Sequence, residues 1–172
     1  MKKFIFIIIF IIASTILSAQ NTDSQDTIIP SYKVPNTDVS FVPPKYFMVL
    51  PQANTLLHPT SSSTIQVNEI NGSPYPMLVK NITKEYIEKQ GVKFISKKDT
   101  LTDDGKKATY FLVSFKTQAQ DTLHTVIEYE RFMFFTGTYN KTIWINANYP
   151  VIARDVLAKV LLKSLLTVKF KD

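Results

Sequence analysis

The residues best suited to chemistry in this chain lie in one alternating segment, TLHTVIEYERFMFF (122–135). Glu128 and Glu130 are two positions apart, so a strand would place both carboxylates on one side, about 7 Å from each other. A carboxylate pair can carry out hydrolysis. Adjacent carboxylates on a strand also commonly just line a solvated face. A hydrolytic or small-molecule-binding cleft near Glu128, Glu130 and Arg131 is therefore the alternative hypothesis for function.

Other residues that could support catalysis lack the neighbours that chemistry requires. His58 and His124 stand far apart, and neither belongs to an HExxH or HxH pattern. The triple serine at 61–63 has no surrounding GxSxG. The Asp-Asp-Gly at 103–105 is better explained as a hairpin turn than as a calcium loop. The sequence predicts no catalytic residue, no metal site and no cofactor, and we expect a protein that is not an enzyme.

A run rich in aromatic residues, FMFFTGTYNKTIWINANYP (132–150), forms either the inside of a sheet or a binding surface. Alternation places most of these rings in a core. Trp144 differs, because its same-side neighbours in the predicted strand are polar. A partly exposed Trp144 beside Tyr139 is the candidate contact surface, although core packing is the simpler interpretation.

Three Asp-Thr-apolar tripeptides place Thr27, Thr100 and Thr122 in a pattern that resembles an O-glycosylation motif of some exported bacterial proteins. The motif is short enough to arise by chance. We take these threonines as predicted glycosylation sites.

The N-terminus, MKKFIFIIIFIIASTILSAQ, has the three parts of a secretory signal peptide. Two lysines precede an apolar run over residues 4–13, and small and polar residues lead to a predicted cleavage after Ala19. A retained membrane anchor is the alternative, but the run is shorter than a span requires. No cysteine is present for lipid attachment. We expect export to the periplasm or the exterior, not as a lipoprotein and with no stable membrane insertion after cleavage.

The composition limits the classes of partner. The chain has no cysteine, so an exported domain must depend on its packed core rather than on disulfides. The formal net charge of +6 includes two signal-peptide lysines, and the remaining lysines are scattered among acids. Without a basic stripe, nucleic acid is not an expected partner.

The element pattern predicts residues 1–19 as signal peptide, 20–37 as a flexible lead-in and 38–172 as one domain. Segment 39–50 is an edge strand interrupted by prolines and followed by a turn, TLLHPTSSS (55–63) is loop, and 63–70 is a strand. Segments 92–101, 107–117, 122–135 and 141–148 are four strands joined by short turns, which makes them an antiparallel meander.

Two helices complete the predicted domain. Periodicity predicts a single helix between Ser73 and Gly91, whose one apolar face carries Tyr75, Leu78, Val79, Ile82 and Tyr86. A second begins at Pro150, with a buried stripe at Ile152, Val156, Leu157, Val160, Leu161 and Leu165. The fold class is therefore α+β, with an antiparallel sheet meander between helices.

This order of elements resembles the PsbP/DcrB-like family of small exported α/β/α proteins. The segments that carry the resemblance are VSFVPPKYF, SSSTIQVNEI, SPYPMLVKNITKEYIEKQGV, GKKATYFLVSF and INANYPV followed by LLKSLLTV. The resemblance covers about residues 38–170 and rests on pattern and order. It implies a non-enzymatic role as an extrinsic subunit, adaptor or envelope protein, and no shared catalytic residues.

The functional expectation combines these observations. We expect an exported, non-catalytic accessory or protein-binding domain of the bacterial cell envelope. Its partner would be another envelope protein.

Overall fold

The computed structural model describes residues 30–50, 54–119 and 125–171. The expected signal peptide lies outside the described residues. The described chain is an α+β domain in which helices flank a seven-stranded antiparallel sheet, and this confirms the predicted fold class. No helix in this part of the chain combines the length and apolar character that crossing a membrane requires.

The described residues form nine strands and three α-helices in chain order. The strands are β1 Tyr32–Lys33, β2 Ser40–Phe41, β3 Met48–Leu50, β4 Thr55–His58, β5 Ser63–Asn71, β6 Lys93–Leu101, β7 Lys107–Gln118, β8 Val126–Gly137 and β9 Lys141–Pro150. The helices are α1 Tyr75–Asn81, α2 Lys84–Lys89 and α3 Arg154–Leu166.

The predicted meander forms four of the seven strands of the sheet. Its strand order is β3-β4-β5-β9-β8-β7-β6, and every neighbouring pair is antiparallel. The meander β6 to β9 is confirmed. β5 then pairs with β9, which makes β9 a central strand. β1 and β2 form a separate two-stranded ribbon.

The two faces of the sheet carry different helices. On the α3 face, Phe132, Phe134 and other inward side chains pack with Leu161 and Leu165 of α3. On the opposite face, which we call the α1–α2 face, Phe135 and other side chains pack with α1 and α2. Strand alternation thus supplies one buried set to each helical layer.

The helix predicted between residues 73 and 91 is instead two short helices, so that prediction was wrong in length. Ile82 has extended backbone angles and ends α1. Thr83 then caps α2 by accepting a hydrogen bond from the Tyr86 backbone N–H at 3.2 Å. A threonine favours a cap over a helix interior, which explains the break. Tyr86 is consequently exposed rather than on the buried face.

The C-terminal helix begins later than predicted and buries a narrower stripe. Val151–Ala153 form a 3-10 turn, and α3 starts at Arg154. Leu161 and Leu165 are fully buried, as expected. The prediction was wrong for the row at residues 152, 156 and 160, whose side chains are exposed because only the row beginning at Leu157 faces the sheet.

The N-terminal half contains two further departures from prediction. TLLHPTSSS (55–63) was predicted as loop, yet Thr55–His58 pairs with β5 as strand β4. Part of the predicted lead-in is packed as well, because β1 pairs with β2 and Val34 is fully buried in the core. Packed structure therefore begins before the predicted boundary at residue 38.

Candidate functional site

The candidate site is an apolar groove of about 540 Å³ between the two short helices and the sheet. We call it the Trp144 groove. It is lined by Ile70, Gly72, Ser73, Pro74, Met77, Leu78, Asn81, Ile82, Tyr86, Met133, Phe135 and Trp144. Its volume falls in the range of ligand-binding clefts, which is about 300–1,000 Å³.

Trp144 is held in a fixed orientation in this groove. Its indole stacks on Phe135 with ring centroids 5.8 Å apart and an interplanar angle of 12°. Its Nε1 donates a hydrogen bond to Asn146 Oδ1 at 3.1 Å. The side chain is half-buried, so one part packs in the sheet and another faces the groove. A rigid, partly exposed indole suits a binding contact.

The rim of the groove presents apolar side chains to solvent. Met77 of α1 is 63% exposed and Tyr86 of α2 is 53% exposed. None of the described lining residues carries a charge, and Ser73 and Asn81 supply its polar side chains. Such a lining can take up apolar side chains or an apolar ligand, and its one titratable side chain among the described residues is the Tyr86 phenol.

Tyr139 does not share a surface with Trp144. It lies in the turn between β8 and β9 and is 85% exposed. It lines a separate depression with Tyr75 and Pro76 on the other side of α1, whereas Trp144 lines the groove. The structure does not bring the two predicted contact residues together.

The structure also separates the predicted cleft residues Glu128, Glu130 and Arg131. Glu128 is exposed and lies near the loop that precedes β5. Glu130 is only 3% exposed and points toward α3. Arg131 lies on the α1–α2 face, because strand alternation turns it away from both glutamates.

Glu130 is fully engaged by two partners. Arg154 donates to its carboxylate from Nη2 at 2.6 Å and from Nε at 3.0 Å, a bidentate ion pair. The Tyr149 hydroxyl donates to the same carboxylate at 2.8 Å. Burial and this hydrogen bond raise the pKa of Tyr149, and the Glu130 carboxylate raises the pKa of Arg154. The cluster ties α3 to the sheet.

Arg131 occupies a polar part of the α1–α2 face beyond the groove. Its guanidinium carbon lies 4.6 Å from the centre of the Phe115 ring, and its Nε donates to Asn148 Oδ1 at 2.6 Å. Asn148 Nδ2 in turn donates to Thr64 Oγ1 at 2.9 Å. Burial lowers the pKa of Arg131. The arginine is thus positioned by a chain of contacts across four strands, β7, β8, β9 and β5.

The remaining predicted residues lie apart from these sites. His58 Nδ1 is 2.8 Å from Ser61 Oγ, and its ring packs beside Phe47. Thr100 is partly buried near the end of the edge strand β6. His124, Thr27 and Thr122 lie outside the described residues. Within the described ranges, no three acidic or histidine side chains cluster as metal ligands would.

Sequence comparisons find no match to any family model and none to a curated protein. Several solved structures are similar in fold. PsbP (CyanoP) of Synechocystis has a TM-score of 0.52 at 10% identity, over 83% of this chain and 92% of that one. The Ran-binding protein Mog1p of Saccharomyces cerevisiae has a TM-score of 0.52 at 10% identity, over 83% and 95%.

The chain has a PsbP-like fold. A Bacteroides thetaiotaomicron structure has a TM-score of 0.45 at 14% identity over 78% of this chain. The match covers 46% of that protein, so this chain spans less than half of its length. At such identities the likeness establishes the fold alone.

Sequence reasoning about this PsbP-like domain identified Trp144 but missed the residues around it. Met77 and Tyr86 were assigned to a continuous helix, in which Tyr86 would be buried. Because the helix breaks at Thr83, α2 does not continue along α1. The space that remains between the two helices and Met133 is the groove. The adjacent Ile82 and Thr83, a β-branched pair in the middle of a periodic segment, were the signal that could have predicted the break.

Proposed function

We propose that this chain is an exported, non-catalytic accessory domain of the bacterial cell envelope that binds a protein partner through the Trp144 groove. The observation that supports this most strongly is the uncharged apolar lining, with Met77 and Tyr86 more than half exposed at its rim. Exposed apolar surface that surrounds a fixed aromatic ring is typical of protein contact sites.

Binding explains the geometry better than catalysis. The groove has no titratable side chain except the Tyr86 phenol among its described lining residues. Elsewhere, the Glu130 carboxylate is occupied by Arg154 and Tyr149, so it is not poised to transfer a proton to a substrate. The hydrolytic alternative would need Glu128, Glu130 and Arg131 in one cleft, and they lie in different places.

A protein partner is favoured over a small molecule by the shape of the site and by analogy of fold. The groove is formed by two short helices at the surface, and its apolar rim continues into solvent at Met77 and Tyr86. The matches to CyanoP and Mog1p cover 92% and 95% of those proteins, and Mog1p is named as a Ran-binding protein. That name supports protein binding as an analogy of fold only.

The proposal includes two further points: the protein is exported, and it is related to the DcrB-like proteins within the family that it resembles. Both rest on the N-terminal sequence pattern and the element order. N-terminal sequencing of the protein from an envelope fraction is expected to begin at Gln20. Recovery of the intact N-terminus in the membrane fraction would instead indicate that the segment is retained as a membrane anchor.

The groove proposal is tested by capture from envelope extracts with a tagged full chain. We expect wild-type protein to retain one specific partner and Met77→Lys to lose it, because a lysine ammonium would have to be desolvated in an apolar contact. Met77 is 63% exposed, so the substitution should leave the fold intact. Mass spectrometry of the retained proteins is the measurement.

Ile152→Lys is the matched control, since Ile152 is 96% exposed and lies just before α3, away from the groove. It should retain the partner as the wild type does. Equal retention by all three proteins would contradict a role for the groove. Turnover in a substrate screen that Glu128→Gln abolishes would favour the hydrolytic alternative instead.

A further inference from the structure

Arg131 is a cation without an acidic partner in the part of the chain that the structure describes. Among the described residues no carboxylate lies within 4.0 Å of its guanidinium, although the side chain is partly buried. Arg154 provides the contrast, because it forms a bidentate pair with Glu130. Burial of an unpaired charge costs free energy, so a site of this kind gains from an anion that arrives with a partner.

The guanidinium is held ready for such a contact. Its Nε is used by Asn148, and its face rests on the Phe115 ring. Phe115 is itself stacked on Tyr129 with centroids 5.8 Å apart. The described hydrogen bonds leave the two terminal nitrogens of Arg131 for an outside acceptor, with little side-chain entropy still to lose.

The side chains around Arg131 on this face are uncharged. On β7 and β9, which flank β8, and on β5 beyond β9, the same-face residues near Arg131 include valine, phenylalanine, asparagine, threonine and glutamine. These residues are Val113, Phe115, Asn146, Asn148, Thr64 and Gln66. No described neighbour therefore compensates the charge, and desolvation lowers the Arg131 pKa.

This cation adjoins the Trp144 groove. Arg131 and Met133 are two residues apart on β8 and share a face, a separation of about 7 Å. On β9, Asn146 lies between Asn148 and Trp144 on that face, and it accepts the hydrogen bond from the indole. The groove and the arginine thus lie on one face of the sheet, adjacent to each other through the half-buried Met133.

We propose that the segment bound in the Trp144 groove carries an acidic residue whose carboxylate pairs with Arg131. This inference rests on the proposed function and specifies the chemistry of the partner. An extended segment repeats its side-chain direction every two residues, about 7 Å, which matches the spacing from Met133 to Arg131. The partner motif is therefore an apolar residue with Asp or Glu two positions away, or three to four positions away in a helix.

The test is selection of a random peptide library displayed on phage against the purified full-length protein, in parallel with Arg131→Gln and Met77→Lys. We expect wild-type protein to enrich peptides with the apolar-acidic spacing. Arg131→Gln should keep the apolar preference and lose the acidic one. Met77→Lys should lose both preferences.

A second measurement does not depend on any protein variant. A selected peptide and its analogue with Gln or Asn in place of the acid are titrated against wild-type protein, with Trp144 fluorescence as the signal. A charge-assisted pair strengthens binding, so the analogue should bind about 10-fold more weakly or worse. The difference should shrink in high salt.

The outcomes separate the two proposals. Enrichment of apolar peptides without acidic residues, or equal affinity of the two peptides, would overturn the role of Arg131 and leave the groove proposal standing. Acidic enrichment that persists in Arg131→Gln would also overturn it. Absence of any enriched peptide for the wild type would contradict both proposals.

Discussion

Gly137→Ala is expected to lower the free energy of unfolding by roughly 3 kcal/mol. Gly137 ends β8 with φ +148°, a region that side chains rarely adopt. A Cβ there would collide with the Lys141 carbonyl oxygen and lie 3.0 Å from Thr142 Cα. Because both obstacles are backbone, the hairpin must open to relieve the clash. Chemical denaturation followed by Trp144 fluorescence measures the loss.

Gly105→Ala is the control for this prediction. Gly105 also has a positive φ of +83°, but a Cβ there would meet no atom within 4 Å. Gly105→Ala should lower the free energy of unfolding through backbone strain alone, by about 1–2 kcal/mol. Equal losses at the two positions would show that the close approach at Gly137 is unimportant.

Glu130→Ala is expected to destabilise the protein by roughly 2 kcal/mol, because it leaves the buried Tyr149 hydroxyl without its acceptor. Tyr149 is fully buried. Glu130→Gln should cost less, since its amide oxygen can still accept from Tyr149 and the buried charge is removed. Denaturant midpoints of the two variants provide the comparison.

Glu128→Ala serves as the matched carboxylate, two residues away and exposed. It should change the free energy of unfolding by no more than about 0.5 kcal/mol. Equal effects at Glu128 and Glu130 would refute the structural role of the Glu130 cluster. A role limited to stability also predicts that Glu130→Gln keeps partner binding.

The meander was predictable because its strands are long, alternating and joined by short connections. β7 and β8 each span 12 residues, so their periodicity is clear over many repeats. The four-residue strand β4 has no such length, and its pairing with β5 gives it a structure that its own sequence does not specify. Long-range pairing therefore explains the missed strand.

The helical predictions failed where two signals compete. Thr83 lies between Ile82 and Tyr86, which continue the apolar period of one helix. Its hydroxyl nevertheless caps a new helix. In α3, one apolar row begins at Leu157 and another at Val156, and the sequence alone does not say which row meets the sheet. Packing against β9 selects the first row.

The site was only partly predictable, because a groove is a gap between elements rather than a pattern within one. Trp144 stood out among polar neighbours, and those neighbours prove to be the polar half of the α1–α2 face. The predicted grouping of Arg131 with Glu130 was wrong for an elementary reason, since adjacent strand residues face opposite sides.

Site-specific photo-cross-linking tests the central claim most directly. A photoreactive phenylalanine analogue replaces Tyr86 at the groove rim, or Ile152 on the far side, in the full chain expressed in bacteria. Irradiation is expected to give one discrete protein adduct from position 86, lost when Met77→Lys is added, and none from position 152. No adduct from position 86, or the same adduct from both positions, would contradict a protein-binding groove at Trp144.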